Sequence, residues 1–211
     1  MTERFDVYDE RGNWIGTAQR GEVHAQGLWH HTIHCWLVRQ TGENNAQILF
    51  QKRSKNKDTN PGCFDITAAG HLAAGETPQD AVREIEEELG IQVTFDQLTE
   101  YGIIREEASG VNRGKAYIDA EISHVFGMVT TQDLQQFKLQ EEEVSGLYEA
   151  DADELIALLE GQVDKLEVTG VALHEGQLQA DEVVITCSSF VSRDYGYYLS
   201  VFRFLRDLAT K

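Results

Sequence analysis

The chain has few of the residues that build disulfide frameworks, thiolate metal sites or linkers. Its three cysteines, Cys35, Cys63 and Cys187, are odd in number, widely spaced and form no C-x-x-C pair. That argues against a disulfide scaffold and a thiolate zinc site and fits reduced thiols in an intracellular protein. Only two prolines occur in 211 residues, with no low-complexity tract and no internal repeat, so an ordered globular chain is expected. No apolar run approaches the roughly 18 residues of a membrane span. Residues 1–6, MTERFD, have no apolar leader core. A cytoplasmic protein is expected. Basic residues are scarce: 18 Lys and Arg stand against 36 Asp and Glu, a net charge of −18. Such a surface disfavours nucleic acid polymers and anionic membranes. It leaves room for a phosphorylated small molecule, because a bound cation inverts the local sign.

What is present centres on residues 70–91, GHLAAGETPQDAVREIEEELGI. Pro78 suits the first turn of a helix and Gly90 its end. Ala81, Val82, Ile85 and Leu89 form an apolar stripe. Glu84, Glu87 and Glu88 share a flank beside it at i, i+3 and i+4, where like charges cost roughly 0.2–0.5 kcal/mol per pair. Glu87 and Glu88 also meet the negative end of the helix dipole. Local helix physics opposes this arrangement, and a hard divalent cation such as Mg2+ or Mn2+, which takes carboxylate oxygens, reverses the balance.

The segment resembles the Nudix box, G-x5-E-x7-R-E-U-x-E-E-x-G-U, with U a bulky aliphatic residue. Gly70, Glu76, Arg83, Glu84, Ile85, Glu87, Glu88, Gly90 and Ile91 match in order. One departure stands out: six residues, not seven, separate Glu76 from Arg83. A residue lost within the helix re-aims Glu76 by about 100°.

Around the box, residues 5–8 and 14–17 read as a hairpin, and 31–38, 46–52, 64–68, 98–106, 116–129 and 143–148 as strands. A polar turn is expected at 42–45 and a loop at 109–114. Residues 152–160 read as a helix capped by Asp151. A hairpin turning at 174–176 and a helix over 194–209 follow. Tyr197, Tyr198, Val201, Phe202, Leu205 and Leu208 line one side of that helix, as core packing or as the face of a homodimer. The pattern is an α/β sandwich with helices flanking a mixed sheet. The resemblance implies the Nudix α/β/α sandwich over about residues 28–160, with an N-terminal hairpin and a C-terminal hairpin–helix extension. The expected division is a Nudix domain over 1–164 and an extension over 165–211 that packs on it or on a partner subunit.

A second set of residues resembles the isopentenyl-diphosphate isomerase-like branch of the superfamily. Its marks are the hairpin, then His24-Ala-Gln-Gly-Leu-Trp29-His30, then Pro61-Gly62-Cys63-Phe64-Asp65 leading to Gly70-His71. The isomerases bind a metal through three histidines and two acids, which implies His24, His30, His71, Asp119 and Glu121 as ligands of a second divalent ion. Imidazole with carboxylate suits zinc or manganese. Asp119 and Glu121 alternate along a strand and so face one side. His31, His34, His124 and His174 read as ordinary. The isomerases protonate an alkene with a cysteine two residues before the matching histidine. Here that position is Ala69, whose methyl delivers no proton.

The resemblance implies a Mg2+- or Mn2+-dependent hydrolase cleaving a nucleoside diphosphate derivative or similar organic diphosphate. Glu84, Glu87 and Glu88 are the expected ligands and Arg83 the residue that orients them. The base is open among Glu87, Glu88, Glu121 and Glu142 with its neighbour Glu143. Lys52 and Arg53, with Lys55 and Lys57, are the densest basic cluster and candidates for a terminal phosphate. Isomerisation and noncatalytic nucleotide or metal binding are the competing readings.

Overall fold

The computed structural model describes residues 3–42, 45–112 and 114–210, without the side chains of Ala81 and Asn112. Part of the expected turn at 42–45, Arg113 of the expected loop, and the Ala81 side chain of the apolar stripe therefore lie outside the described residues.

Among the described residues, eleven strands join one sheet. In chain order they are β1 (Arg4–Tyr8), β2 (Trp14–Gln19), β3 (Trp29–Gln40), β4 (Ala46–Arg53), β5 (Phe64–Asp65), β6 (Ala68–His71), β7 (Thr99–Asn112), β8 (Lys115–Val129), β9 (Val144–Asp151), β10 (Leu166–His174) and β11 (Gln177–Ile185). The helices are α1 (Arg20–Gln26), α2 (Val82–Leu89), α3 (Ala152–Leu159) and α4 (Tyr195–Ala209). β3 is the axis: it pairs antiparallel with β1, β4 and β6 and parallel with β8. The sheet is thus mixed, as expected.

Alternation along β3 explains the layers. Cys35 and Leu37 point to one face, where Ile85 and Leu89 of α2 pack with Leu49 and Leu147. Trp36 and Val38 point to the other, against Leu155 of α3 and Tyr198, Val201, Phe202 and Leu205 of α4. Trp36 meets Phe202 edge-on at 5.3 Å between ring centroids, a contact worth about 0.5–1.5 kcal/mol beyond area burial. The aromatic stripe of the last helix is therefore spent on the core. Asp194 caps that helix through Gly196 N–H at 2.8 Å, and Asp151 caps α3 as expected.

Residues 166–185 extend the sheet beyond β9 through the pairing of Thr169 to Ala172 with Glu149 to Gly146. Two sequence expectations change. Residues 109–112 of the expected loop instead belong to β7, with Val111 opposite Ala116 and Asn112 opposite Lys115. The helix α1 was not expected at all; it buries only Val23 and has no side-chain cap, so it left no periodic signature.

Candidate active site and metal centre

The helical part of the box begins with Thr77 N–H donating to Asp80 Oδ2 at 2.8 Å and Pro78 at the first position of a 3₁₀ turn, Pro78–Ala81, which runs into α2. This turn sits where the box is a residue short, and a 3₁₀ turn uses 3.0 residues where an α turn uses 3.6. Glu76 is not swung away. Its Oε2 accepts from Arg83 Nη2 at 3.1 Å and from Ala73 N–H at 2.7 Å. Gly90, at φ +67°, closes α2 with a bond to the Glu86 carbonyl.

Arg83 ties the acids together, with Nη2 3.0 Å from Glu84 Oε1 and Nη1 3.0 Å from Glu87 Oε2. The three helix glutamates do not share one environment. Glu87 is at the rim, its side chain 49% exposed. Glu84 turns inward, against Gly70. Glu88 is buried and accepts from Gln51 Nε2 at 3.0 Å and Ala69 N–H at 3.2 Å. Burial pushes Glu84 up to about 7, opposed by Arg83 and reinforced by Glu87. It pushes Glu88 up to about 8, against the pull of Lys57. The direct partners of Glu88 are neutral donors, so a carboxylate here lacks a full counter-charge.

Behind the box, Glu143 pairs with Lys57, and its charge is felt at Glu88. Glu142 is exposed. The basic cluster does not converge. Arg53 is held by Asp65 at 2.8 Å and by the Thr59 carbonyl, and Lys55 is exposed. Lys52 stands 5.5 Å from the Phe64 ring and lines a cavity of about 520 Å³ with Cys63, Ser188 and Ser189.

Four elements deliver the second set: α1 carries His24, β3 His30, β6 His71, and β8 both Asp119 and Glu121. Ligand atoms of His24, His30, His71 and Asp119 all lie within 4.8 Å of one another. Asp119 Oδ1 is 3.4 Å from His24 Nε2 and 3.5 Å from His30 Nε2. Glu121 stands just behind, with Oε1 3.9 Å from His71 Nε2. His30 Nδ1 lies 2.9 Å from the Leu28 carbonyl. A carbonyl only accepts, so Nδ1 carries the proton and Nε2 turns its lone pair to the cluster. Phe5 stacks on His30 and His71 at 5.3 and 4.8 Å, which fixes both rings.

Burial lowers all three histidines, His24 to about 4 with help from the neighbouring His30 and Arg20. Neutral imidazole is the ligating form. Burial, then the charge of Glu121, raises Asp119. Burial would raise Glu121 too, but the nearby His34 and Arg193 outweigh it and hold it down. His24, His30 and His71 Nε2 and Asp119 Oδ1 are buried without a hydrogen-bond partner. Four such atoms converging on one point suit a shared cation, because each otherwise bears an uncompensated desolvation cost.

The two sets lie back to back. A Cβ on Gly70 would point at Glu84. His71 is the next residue of β6, so its side chain leaves from the opposite face. The sequence reading missed several contributors: His34, Gln51, Asp65, Phe5 and Arg193. Asp65 ends the Pro61-Gly62-Cys63-Phe64-Asp65 signature but had no role assigned, and the other four belong to no motif. His34, read as ordinary, is buried with Nδ1 2.8 Å from the Tyr197 hydroxyl and Nε2 3.8 Å from Glu121 Oε2.

The NUDIX domain model matches residues 8–169. The chain belongs to the Nudix family. A Nudix hydrolase of Clostridium acetobutylicum, itself uncharacterised, is 39% identical over 98% of this chain and 99% of its own length, so the likeness runs through the C-terminal extension. Nudix hydrolase 3 of Arabidopsis thaliana is 38% identical over 69% of this chain, which spans 19% of that longer protein. A crystal structure of a Deinococcus radiodurans protein shares the fold, with a TM-score of 0.53 at 20% identity over 75% of this chain and 90% of that one. The protein is a Nudix pyrophosphohydrolase, and Nudix enzymes generally use divalent cations. Among the described residues no helix is long and apolar enough to cross a membrane.

Proposed function

We propose that this Nudix enzyme hydrolyses the diphosphate linkage of a nucleoside diphosphate derivative or similar organic diphosphate. The observation that carries the reading is the inward turn of Glu84, half-buried, and Glu88, buried, two acids whose pKa values burial raises. Their hard oxygen donors, with Glu87 at the rim, fit Mg2+ or Mn2+. A cation held there supplies charge neutralisation at the pyrophosphate oxygens.

The chain's own residues do the positioning. Arg83 braces Glu76, Glu84 and Glu87, and Gln51 fixes Glu88 by a hydrogen bond. The general base takes a proton from water close to this helix. Glu87 at the rim and Glu143 beside Glu88 support that role better than the other candidates. Glu121 belongs with the histidines across β6, and Glu142 is exposed.

We further assign the chain to the isopentenyl-diphosphate isomerase-like branch, with a second divalent ion, manganese or zinc, on His24, His30, His71, Asp119 and Glu121. Isomerisation is not its chemistry. Ala69 packs against the apolar core and offers no proton. Cys35 is buried, and burial pushes its thiol up to about 12. The substrate is a small molecule rather than a nucleic acid polymer, the protein works in the cytoplasm, and residues 1–164 form the catalytic unit.

The test is a screen of nucleoside diphosphates, dinucleotides and sugar nucleotides with Mg2+ or Mn2+, each product read by mass. Cleavage of one class into two phosphorylated fragments is expected. Tight binding without turnover under excess cation would favour a noncatalytic role, and an allylic product from isopentenyl diphosphate would restore the isomerase.

A further inference from the structure

The segment before α4 is clipped to the sheet. Val191 N–H donates to the Phe64 carbonyl at 2.8 Å, and Phe190 bridges Phe64. Two residues on, the Arg193 side chain enters between β5, β7 and β8 and is only 13% exposed. Its Nη1 is 2.5 Å from Glu106 Oε2 and 3.9 Å from Glu121 Oε2, and its Nε is 3.9 Å from Asp65 Oδ1. One guanidinium thus faces three buried or half-buried carboxylates from three strands. Asp65 also has a second cation, Arg53.

Tyr197, one turn into α4, adds a directed chain. The Trp36 indole can only donate, and its Nε1 lies 3.1 Å from the Tyr197 oxygen. The Tyr197 hydrogen then has His34 Nδ1, 2.8 Å away, as its acceptor when that nitrogen carries no proton. That leaves the His34 proton on Nε2, which faces Glu121 Oε2 at 3.8 Å. The two oxygens of Glu121 are divided: Oε2 faces His34 Nε2 at 3.8 Å and Arg193 Nη1 at 3.9 Å, and Oε1 faces His71 Nε2 at 3.9 Å.

We propose that Arg193 and Tyr197 are positioning residues for Glu121, so that the C-terminal extension completes the histidine metal site from outside its ligand shell. The inference rests on the reading that the His24–His30–His71–Asp119 cluster holds a divalent ion. The extension then contributes to chemistry as well as to burial. Without Arg193, the carboxylates of Glu106 and Glu121 face each other with no cation between them, and Glu121 is free to turn from the cluster. Without the Tyr197 hydroxyl, His34 loses the bond that fixes its tautomer.

The experiment titrates Co2+ alone into the full chain and follows its visible absorption, with calorimetry of Mn2+ binding alongside. The wild type is expected to bind an ion that His30→Ala does not bind. Arg193→Met should weaken this binding at least tenfold, and Arg193→Lys, which keeps the charge, should recover most of it. Tyr197→Phe removes a single hydroxyl; it should shift the Co2+ spectrum and weaken binding severalfold. Circular dichroism reports folding, and if Arg193→Met does not fold, Tyr197→Phe and Arg193→Lys decide. Wild-type affinity and an unaltered spectrum in the folded variants would overturn the positioning role alone. A wild type that binds no more ions than His30→Ala would overturn the metal reading and this inference with it.

Discussion

Glu84 occupies the space that a side chain on Gly70 would need: a Cβ there would lie 2.2 Å from Glu84 Cδ. The glycine that opens the box is thus a seat for the acid that opens its helix. The obstructing atom is near the end of a flexible side chain, so the fold gives way cheaply and the cost falls on where the carboxylate points. Gly70→Ala should lower kcat at least tenfold while moving Tm by only a few degrees. Steady-state kinetics and thermal unfolding of the same preparation check this, and wild-type kcat would contradict it.

Arg83 joins three acids yet is 39% exposed, so solvent screens each pair. Its ion pairs together should contribute no more than about 1 kcal/mol to stability. Arg83→Ala should leave unfolding nearly unchanged but raise the Mg2+ concentration needed for half-maximal activity severalfold. A stability loss without a change in cation requirement would show that the residue is merely structural.

The pH dependence of the metal-free protein follows from the same acids. Glu84 and Glu88 titrate at about 7 and about 8 when folded, above their ordinary 4.5. The folded state therefore binds more protons than the unfolded one, and these two groups make stability fall as pH rises through that range. The lowered histidines act in the opposite sense, from their ordinary 6.5 down to about 4 for His24. Between pH 6.5 and 8 the acids act with little opposition. In EDTA, Tm should fall across that window, and the gain on adding Mg2+ should grow. A Mg2+ effect that shrinks toward pH 8 would contradict the assignment.

Much of this was legible in the sequence, and the gaps have physical causes. Pro78, Gly90 and the spacing of Val82, Ile85 and Leu89 marked α2, because capping and a buried stripe are local properties. Asp151 announced α3 for the same reason. The ribbon near its tip misled, since Gly110 and Asn112 are turn-type residues, yet cross-strand pairing carries β7 through both of them. Glu76 seemed re-aimed by the short box, whereas the chain enters α2 through a 3₁₀ turn and Glu76 still meets Arg83. The five-residue histidine and acid set could be drawn up from a resemblance. That it lies on the far side of β6 from Glu84 could not, because that depends on tertiary placement of α2. Arg193 gave no signal; its role arises from the clip between Val191 and Phe64.

The Asp151 cap offers a check on the scaffold independent of chemistry. Its carboxylate accepts from Asp153 and Glu154 N–H at 2.9 and 3.3 Å. Asp151→Ala should cost about 1 kcal/mol, read by urea unfolding, with catalysis unaffected under folding conditions. A loss of turnover in the folded variant would mean that α3 communicates with the site.

The most direct test of the central claim is anomalous scattering from a crystal soaked in Mn2+. The expected result is a peak ligated by Glu84 and Glu88, with Glu87 swung in from the rim. Carboxylates that keep their present partners, with no peak at this end of α2 under saturating Mn2+, would contradict it.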